Sequence, residues 1–191
     1  MLYKNANDFQ ISGATRVYAL LGDPVAHSLS PVFWNAAFRH SGIDAIYIPL
    51  RVEEAKASLA FSGLAAMHVA GINVTRPLKR KAAEYCSLLH EPAHSTGVVN
   101  TIRFGNGSGE GWNTDVTGLH RILSRQLQPD SRATVMGNGA SAQTALWALK
   151  STGITRVFQI ARSFANQPCN TDKHFETNFA AAGIQVDRQI G

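Results

Sequence analysis

Hydroxyl and amide side chains follow two apolar runs of the sequence, at positions where the strands of an open α/β sheet would end. Ser28 and Ser30 come after the first run, and Asn73 and Thr75 come after a later one. Ligands of such sheets bind at the carboxyl ends of the strands, and hydroxyl and N–H groups at a helix N-terminus suit a carboxylate. We therefore expect a small anionic ligand here. Ser30 is also expected to cap the following helix, whereas the sequence offers no structural role for Ser28.

Three cations, Lys79, Arg80 and Lys81, open a predicted helix. Cations in a first turn oppose the helix dipole by roughly 0.3–1 kcal/mol, so a ligand anion or a partner carboxylate would explain Lys79. Arg80 and Lys81 are interpreted as a solvated basic end. Asp115 lies in the first turn of another helix, which Asn113 or Thr114 could cap. If Lys79 and Asp115 meet, they form an ion pair suited to proton transfer.

A glycine-rich turn, Gly137-Asn138-Gly139-Ala140-Ser141-Ala142, lies between a predicted strand and a predicted helix. This is the context of a dinucleotide-binding fingerprint, in which the two glycines permit a tight turn and close approach of a pyrophosphate. Ala142 would allow the helix to pack closely on the strand. After the next strand stands Arg162 rather than an acid, which favours the 2′-phosphate of NADP over NAD. A solvated surface arginine is the alternative.

His90-Glu91-Pro92-Ala93-His94 matches the H-E-x-x-H pattern of zinc proteases. That chemistry needs both imidazoles on one face of a continuous helix. Pro92 interrupts a helix between the two histidines, so we predict no metal site.

The pattern of apolar runs and turn residues predicts a chain of alternating strands and helices. The predicted strands cover 16–22, 45–50, 69–73, 98–104, 133–136, 156–160 and 184–186, and the predicted helices cover 30–41, 53–64, 77–89, 115–125, 140–151 and 171–182. The glycine-rich link 105–111 favours a hairpin. Such alternation is typical of an α/β fold with a mainly parallel sheet. We place a domain boundary within or beside the helix 115–125, and expect a first domain at 1–120 and a dinucleotide-binding domain at 121–191. Because 121–191 has room for only about three of the usual six strands, the second domain is expected to be truncated.

The composition is that of an ordinary globular protein. The 191 residues are 45% hydrophobic and 16% charged, with a net charge of +5 and two cysteines. No apolar run reaches the ~18 residues of a membrane span, and the N-terminus lacks the features of a secretory signal. The basic cluster 76–81 has no interleaved aromatic residues for stacking on bases. We expect a cytoplasmic protein, monomeric or homodimeric, with a small-molecule substrate and without nucleic-acid or membrane partners.

Taken together, five segments resemble the shikimate dehydrogenase family in order and spacing. They are GDPVAHSLSP (22–31), GINVTRPLK (71–79), GVVNT (97–101), GWNTDVTG (111–118) and GNGASA (137–142). The resemblance implies a substrate domain followed by a Rossmann-type NADP domain. It also implies the NADP-dependent, reversible reduction of 3-dehydroshikimate to shikimate in aromatic amino-acid (chorismate) biosynthesis.

The resemblance also implies roles for individual residues. Substrate binding falls to Ser28, Ser30, Asn73, Thr75, Lys79, Asn100, Thr114 and Asp115; cofactor binding falls to Gly137, Asn138, Gly139, Ala140, Ser141, Ala142, Arg162 and Ser163. Lys79 and Asp115 would be the catalytic pair. A cationic Lys79 can protonate the alkoxide that forms as the carbonyl is reduced, with Asp115 orienting it.

The sequence departs from the family pattern at the cofactor site. Ala161-Arg162-Ser163 stands where the family has Asn-Arg-Thr, and a following basic residue is absent, which weakens the expected grip on the 2′-phosphate. Asn138 and Ala140 replace smaller or more flexible residues. The family's C-terminal glutamine and packing helix have no counterpart, so activity could be impaired. A quinate (or related polyhydroxy cyclic acid) dehydrogenase and a non-catalytic substrate-binding fragment are the alternatives.

Overall fold

The computed structural model describes residues 10–105, 108–128, 130–154 and 156–161, and the backbone of 185–189. The chain divides into two compact units. The first comprises Met1–His90 and Val99–Trp112, and the second comprises Glu91–Val98 and Asn113–Gly191. Each unit contains its own sheet, and the predicted α/β class is confirmed. The predicted helix 171–182 lies outside the described residues, as do Arg162 and Ser163.

The first unit is built on a six-stranded sheet. Its strands are β1 (Arg16–Gly22), β2 (Ala45–Arg51), β3 (Gly71–Val74), β4 (Leu88–Leu89), β5 (Thr101–Gly105) and β6 (Ser108–Trp112), in the order β2-β1-β3-β5-β6-β4. Its helices are α1 (Ser30–His40), α2 (Ala57–Ala66) and α3 (Lys79–Tyr85), with a 3₁₀ turn at Glu54–Lys56. β1 runs parallel to β2 and β3, whereas β5 is antiparallel to β3 and β6. The predicted hairpin is therefore confirmed, as the β5–β6 pair.

Helix α1 is held on the edge strand β2 by apolar packing and by one amide side chain. Phe38 packs in a buried cluster with Leu20 and Tyr47. Asn35 Oδ1 accepts the Tyr47 N–H at 2.9 Å, and its Nδ2 donates to the Tyr47 and Pro31 carbonyls, each at 2.8 Å. The amide thus pairs with backbone groups at the sheet edge, and it fixes the start of α1 relative to the sheet. Gly42 follows the helix with φ +63°, as expected of its terminator.

The predicted helix 77–89 is wrong at its last four residues. Helix α3 ends at Tyr85, and Cys86 is already extended. The Ser87 N–H then donates to the Gly109 carbonyl, and the His90 N–H to that of Gly111, each at 3.0 Å. β4 thereby pairs with β6, so hydrogen bonds to a strand distant in sequence, rather than a local stop signal, end the helix.

The second unit carries a three-stranded parallel sheet. Its elements are α4 (Ala93–Thr96), α5 (Thr114–Gln126), β7 (Arg132–Met136), α6 (Ala140–Ser151), β8 (Arg156–Ile160) and β9 (Gln185–Gln189). The strand order β7-β8-β9 is that of one half of a Rossmann sheet. Val135, Leu146, Leu149 and Val157 form its buried core. In the described residues, no helix has the length and apolarity needed to cross a bilayer.

Candidate functional site

The segments that follow β1 and β3 meet at the carboxyl edge of the first sheet. The Thr75 N–H donates to the Leu21 carbonyl at 2.8 Å, and the Asp23 N–H to that of Arg76 at 3.0 Å. Gly22 makes this approach possible, because an added Cβ would contact Thr75 Cγ2 and lie 2.9 Å from the Arg76 carbonyl oxygen. The structure therefore brings the segments 22–31 and 71–79 together.

Two serines lie at the start of α1, and the structure corrects their expected structural roles. Ser30 is the first residue of the helix, not its cap, because Leu29 occupies the capping position without a side-chain hydrogen bond. It is Ser28 whose Oγ accepts the Ser30 N–H, at 3.2 Å. Ser28 thus has the structural role that the sequence did not suggest. Both serines are half-buried, so a ligand can reach part of each side chain.

Asn73 and Asn100 belong to a hydrogen-bonded network between β2, β3 and β5. Tyr47 Oη donates to Asn73 Oδ1 at 2.8 Å, and Asn73 Nδ2 donates to Thr101 Oγ1 at 3.1 Å. Thr101 Oγ1 donates to Asn100 Oδ1 at 3.1 Å. Burial raises the pKa of Tyr47 to about 12. Neither Tyr47 nor Thr101 was among the predicted site residues.

Lys79 is the first residue of α3 and is half-buried. Its carbonyl accepts the Val99 N–H at 3.0 Å, and the Asn100 carbonyl accepts the Val74 N–H at 2.8 Å. These backbone bonds tie the start of α3 and the residue Asn100 to the end of β3. On the same helix, Lys81 pairs with Glu84 at 2.7 Å, and this hydrogen bond raises the pKa of Lys81.

Thr114 and Asp115 are the first two residues of α5, and Asp115 was predicted to lie in this first turn. Thr114 is exposed and Asp115 is half-buried. Asn113 does not cap this helix with its side chain. The side chain is buried instead, and Nδ2 donates to Thr96 Oγ1 at 3.2 Å and to Thr144 Oγ1 at 3.1 Å. Asn113 therefore fastens the start of α5 to α4 and α6.

The glycine-rich turn has the backbone that the fingerprint requires. Gly137 has φ +103°, a conformation that favours glycine, and Gly139 immediately precedes α6. A Cβ added at either glycine would meet nothing within 4 Å among the described atoms, so the surface beside the turn is open. Ala142 is 7% exposed and packs in the core with Val135 and Leu146, which confirms its expected packing role. Asn138 and Ser141 are exposed on the same turn, and Ala140 is half-buried.

Gln159 supports this turn and was not predicted to do so. It is 1% exposed, and its Nε2 donates to the Gly137 carbonyl at 2.8 Å. The Gly137 N–H in turn donates to the Ile160 carbonyl at 2.7 Å. The signal in the sequence was a single amide within the otherwise apolar run Val157-Phe158-Gln159-Ile160, because a buried polar side chain requires a partner.

The two histidines of the H-E-x-x-H match have different surroundings. The His90 ring stacks on Trp112 with centroids 4.4 Å apart, and its Nε2 lies 3.2 Å from Glu110. His94 Nδ1 lies 3.4 Å from Glu91. As expected, a helix begins only after Pro92. Among the described residues, no group of three or more His, Cys, Asp or Glu side chains could hold a metal ion.

Comparison with known proteins links the first unit to one family. Residues 20–102 match the shikimate dehydrogenase substrate binding domain. A shikimate dehydrogenase (NADP(+)) of Methanothermobacter thermautotrophicus is 37% identical over 154 residues, which cover 80% of this chain and 54% of that relative. The chain thus spans about half the length of the curated relatives that it matches.

Solved structures agree with this similarity. Shikimate dehydrogenase from Aquifex aeolicus superposes with a TM-score of 0.78 at 31% identity, covering 93% of this chain and 64% of that one. The Thermus thermophilus shikimate 5-dehydrogenase in complex with NADP(H) and shikimate gives a TM-score of 0.73 at 25% identity, covering 91% of this chain and 63% of that one.

Proposed function

Because the chain is homologous to the shikimate dehydrogenases, we propose that it catalyses the NADP-dependent, reversible reduction of 3-dehydroshikimate to shikimate. The observation that carries the proposal is the carboxyl edge of the first sheet, which lies within the matched substrate-binding domain. Hydroxyl, amide and ammonium groups there come from Ser28, Ser30, Thr75, Asn100 and Lys79. Such a set suits a polyhydroxylated ring that carries one carboxylate.

We assign the substrate carboxylate to Ser28 and Ser30. The start of α1 carries the partial positive charge of the helix dipole, which favours an anion beside the two hydroxyls. We assign the ring hydroxyls to Thr75, Asn100, Thr114 and Asp115. Both ends of the Asn73 amide form hydrogen bonds within the internal network, with Tyr47 and Thr101. We therefore assign Asn73 to positioning its neighbours rather than to direct contact with the substrate.

The turn 137–142 fits the pyrophosphate of NADP. The open surface beside Gly139 leaves room for a phosphate, and the first N–H groups of α6 supply donors. Gln159 keeps the Gly137 carbonyl engaged, which preserves the shape of the turn. Arg162 and Ser163 are proposed to contact the 2′-phosphate. When bound, NADP supplies the hydride donor or acceptor of the reaction.

Lys79 and Asp115 are proposed to carry out the proton transfer to the carbonyl oxygen that is reduced. As the carbonyl is reduced, negative charge develops on its oxygen, and the Lys79 ammonium stabilises that charge and donates a proton to it. Asp115, as a carboxylate, accepts hydrogen bonds from the lysine and from the reacting hydroxyl, and so orients both.

The direct test measures NADPH oxidation with 3-dehydroshikimate, and NADP reduction with shikimate or quinate. The wild-type chain is compared with Lys79→Ala and with the matched control Lys81→Ala, which alters a surface pair on the same helix. We expect loss of Lys79 to lower kcat by about 10²–10⁴-fold, the usual effect of removing a general acid, and loss of Lys81 to leave it nearly unchanged.

Two results would contradict the proposal. Equal activity of Lys79→Ala and wild type would reject the assigned role of Lys79. Shikimate binding by the wild-type chain without turnover with either cofactor form would reject the reaction and favour a binding module.

A further inference from the structure

We propose that Tyr47 and Thr101 are positioning residues, which fix the Asn100 amide through Asn73 so that it meets the substrate as a hydrogen-bond donor. This inference rests on the proposed function. The four side chains form a chain of hydrogen bonds, named here the amide relay, within the first unit. Their placement follows from the sheet, where Asn73 and Thr101 are directly paired residues of β3 and β5.

The amide relay runs in one direction. Tyr47 Oη donates to Asn73 Oδ1 at 2.8 Å, Asn73 Nδ2 donates to Thr101 Oγ1 at 3.1 Å, and Thr101 Oγ1 donates to Asn100 Oδ1 at 3.1 Å. A hydroxyl has one proton, so Thr101 can donate to Asn100 only while it accepts from Asn73. The orientation of each member therefore determines that of the next.

A backbone carbonyl selects this direction over its reverse. The Asn100 carbonyl oxygen, which accepts the Val74 N–H, also lies 3.4 Å from Asn73 Nδ2. If the Asn73 amide turned over, its oxygen would face that carbonyl oxygen, and two acceptors would be opposed without a proton between them. The favourable orientation leaves the Thr101 proton for Asn100 Oδ1.

The consequence for Asn100 is a fixed polarity. Its side chain is planar, and Oδ1 is held by Thr101, so the NH₂ group occupies the other side of the amide. An NH₂ group recognises the oxygen of a hydroxyl or carbonyl. We infer that Asn100 uses this group toward a ring oxygen of the substrate, and that the amide relay excludes the opposite orientation.

Burial of Tyr47 secures the start of the amide relay. Tyr47 is 4% exposed, and desolvation raises its pKa to about 12, so its hydroxyl stays protonated across the neutral range. Asn35 holds the Tyr47 backbone at both its N–H and its carbonyl. The first donor is therefore fixed in place as well as in protonation state.

The test compares hydroxyl-deleting and hydroxyl-conserving variants in shikimate titration calorimetry. Thr101→Val and Tyr47→Phe each remove one hydroxyl, and we expect each to raise the Kd for shikimate by about 3–10-fold. Thr101→Ser keeps the hydroxyl and should restore wild-type affinity. Tyr18→Phe is the matched control, because Tyr18 is the register partner of Tyr47 on β1 and lies outside the amide relay. Unchanged affinity in both Thr101→Val and Tyr47→Phe would overturn the inference.

A ligand-free measurement separates this inference from the proposed function. The side-chain NH₂ signals of Asn73 and Asn100 are recorded by ¹⁵N NMR in wild type and variants. We expect Thr101→Val to shift both pairs of signals and Thr101→Ser to leave them near their wild-type positions. If the wild-type chain binds no shikimate, the proposed function fails, but the NH₂ signals still test whether the amide relay exists. Unchanged NH₂ signals in Thr101→Val would overturn the amide relay. Signals that shift in Thr101→Val and return to their wild-type positions in Thr101→Ser would support it.

Discussion

Replacing Gly22 by alanine tests how closely the two site segments approach each other. The new Cβ would contact Thr75 Cγ2 and lie 2.9 Å from the Arg76 carbonyl oxygen. The methyl group on Thr75 has some freedom to rotate, but the carbonyl belongs to backbone that is itself hydrogen-bonded to Asp23. We therefore expect the ends of β1 and β3 to be forced apart.

The expected cost combines overpacking with weakened hydrogen bonds. Overpacking a well-filled site costs about 1–3 kcal/mol, and each of the two backbone hydrogen bonds that span the contact contributes about 0.5–1.5 kcal/mol. Partial loss of both bonds gives a total of roughly 2–4 kcal/mol. For a protein of this size, that corresponds to a fall in Tm of roughly 4–16 °C.

The assay is urea and thermal unfolding together with hydrogen exchange of the amides in β1 and β3, which reports on the first unit separately. Gly63→Ala is the control. Gly63 lies within α2, and an added Cβ would meet nothing within 4 Å, so this change should instead stabilise the helix by about 0.5–1 kcal/mol. If Gly22→Ala were as stable as wild type, with unchanged exchange at β1 and β3, the close approach of the two segments would be refuted.

Three further predictions concern other parts of the two units. Burial raises the pKa of Cys86 to about 11, and only the thiolate reacts with iodoacetamide. In a Cys169→Ser background at pH 8, Cys86 should therefore react more than about 100-fold slower in the folded protein than in urea. Equal rates in the folded protein and in urea would contradict the raised pKa. Hydrogen bonds from Arg103 and His90 lower the pKa of Glu110, so the ionised carboxylate stabilises the folded state above the usual glutamate pKa, and this stabilisation is lost as pH falls below about 4.3. Glu110→Gln should therefore make Tm fall less steeply at acid pH than it does in wild type. An unchanged acid limb of the Tm-against-pH curve would refute the assignment. Gln159→Leu removes the hydrogen bond to the Gly137 carbonyl and should speed exchange of the Gly137 amide, whereas the same exchange rate would show that Gln159 does not support the turn.

The elements that were predicted well are those with strong local signals. Helix α6 begins directly after a glycine turn and ends at Ser151, two residues before Gly153, and both bounds matched the prediction. β8 matched because an apolar run between turn residues admits few alternatives. In each case, the residues that determine the element lie inside it or next to it.

The predictions that were wrong depended on residues distant in sequence. The last four residues of the predicted helix 77–89 are not helical, because the backbone from Ser87 to His90 forms hydrogen bonds with β6. No residue near them in the sequence indicates that pairing. Asn113 looked like a cap because asparagine often caps helices, but its amide donates to the hydroxyls of Thr96 and Thr144 instead. The prediction that Ser30 caps α1, and that Ser28 has no structural role, was wrong because the helix starts one residue earlier than the capping pattern implied.

Candidate site residues could be chosen from their position after strands, but their supporting contacts could not. Tyr47 and Thr101 look like ordinary strand residues, because a tyrosine and a threonine are common in sheets. The register of β3 with β5, and of β1 with both β2 and β3, places their hydroxyls beside Asn73. Register is a property of the folded sheet, and so the amide relay was beyond sequence reasoning.

The most direct test of the account follows backbone amide signals while shikimate is added to the ¹⁵N-labelled wild-type chain. If the carboxyl edge of the first sheet holds this ligand, saturable shifts should concentrate at Ser28, Ser30, Thr75 and Asn100. Saturable shifts confined to other regions, or no shifts at millimolar shikimate, would contradict the central claim.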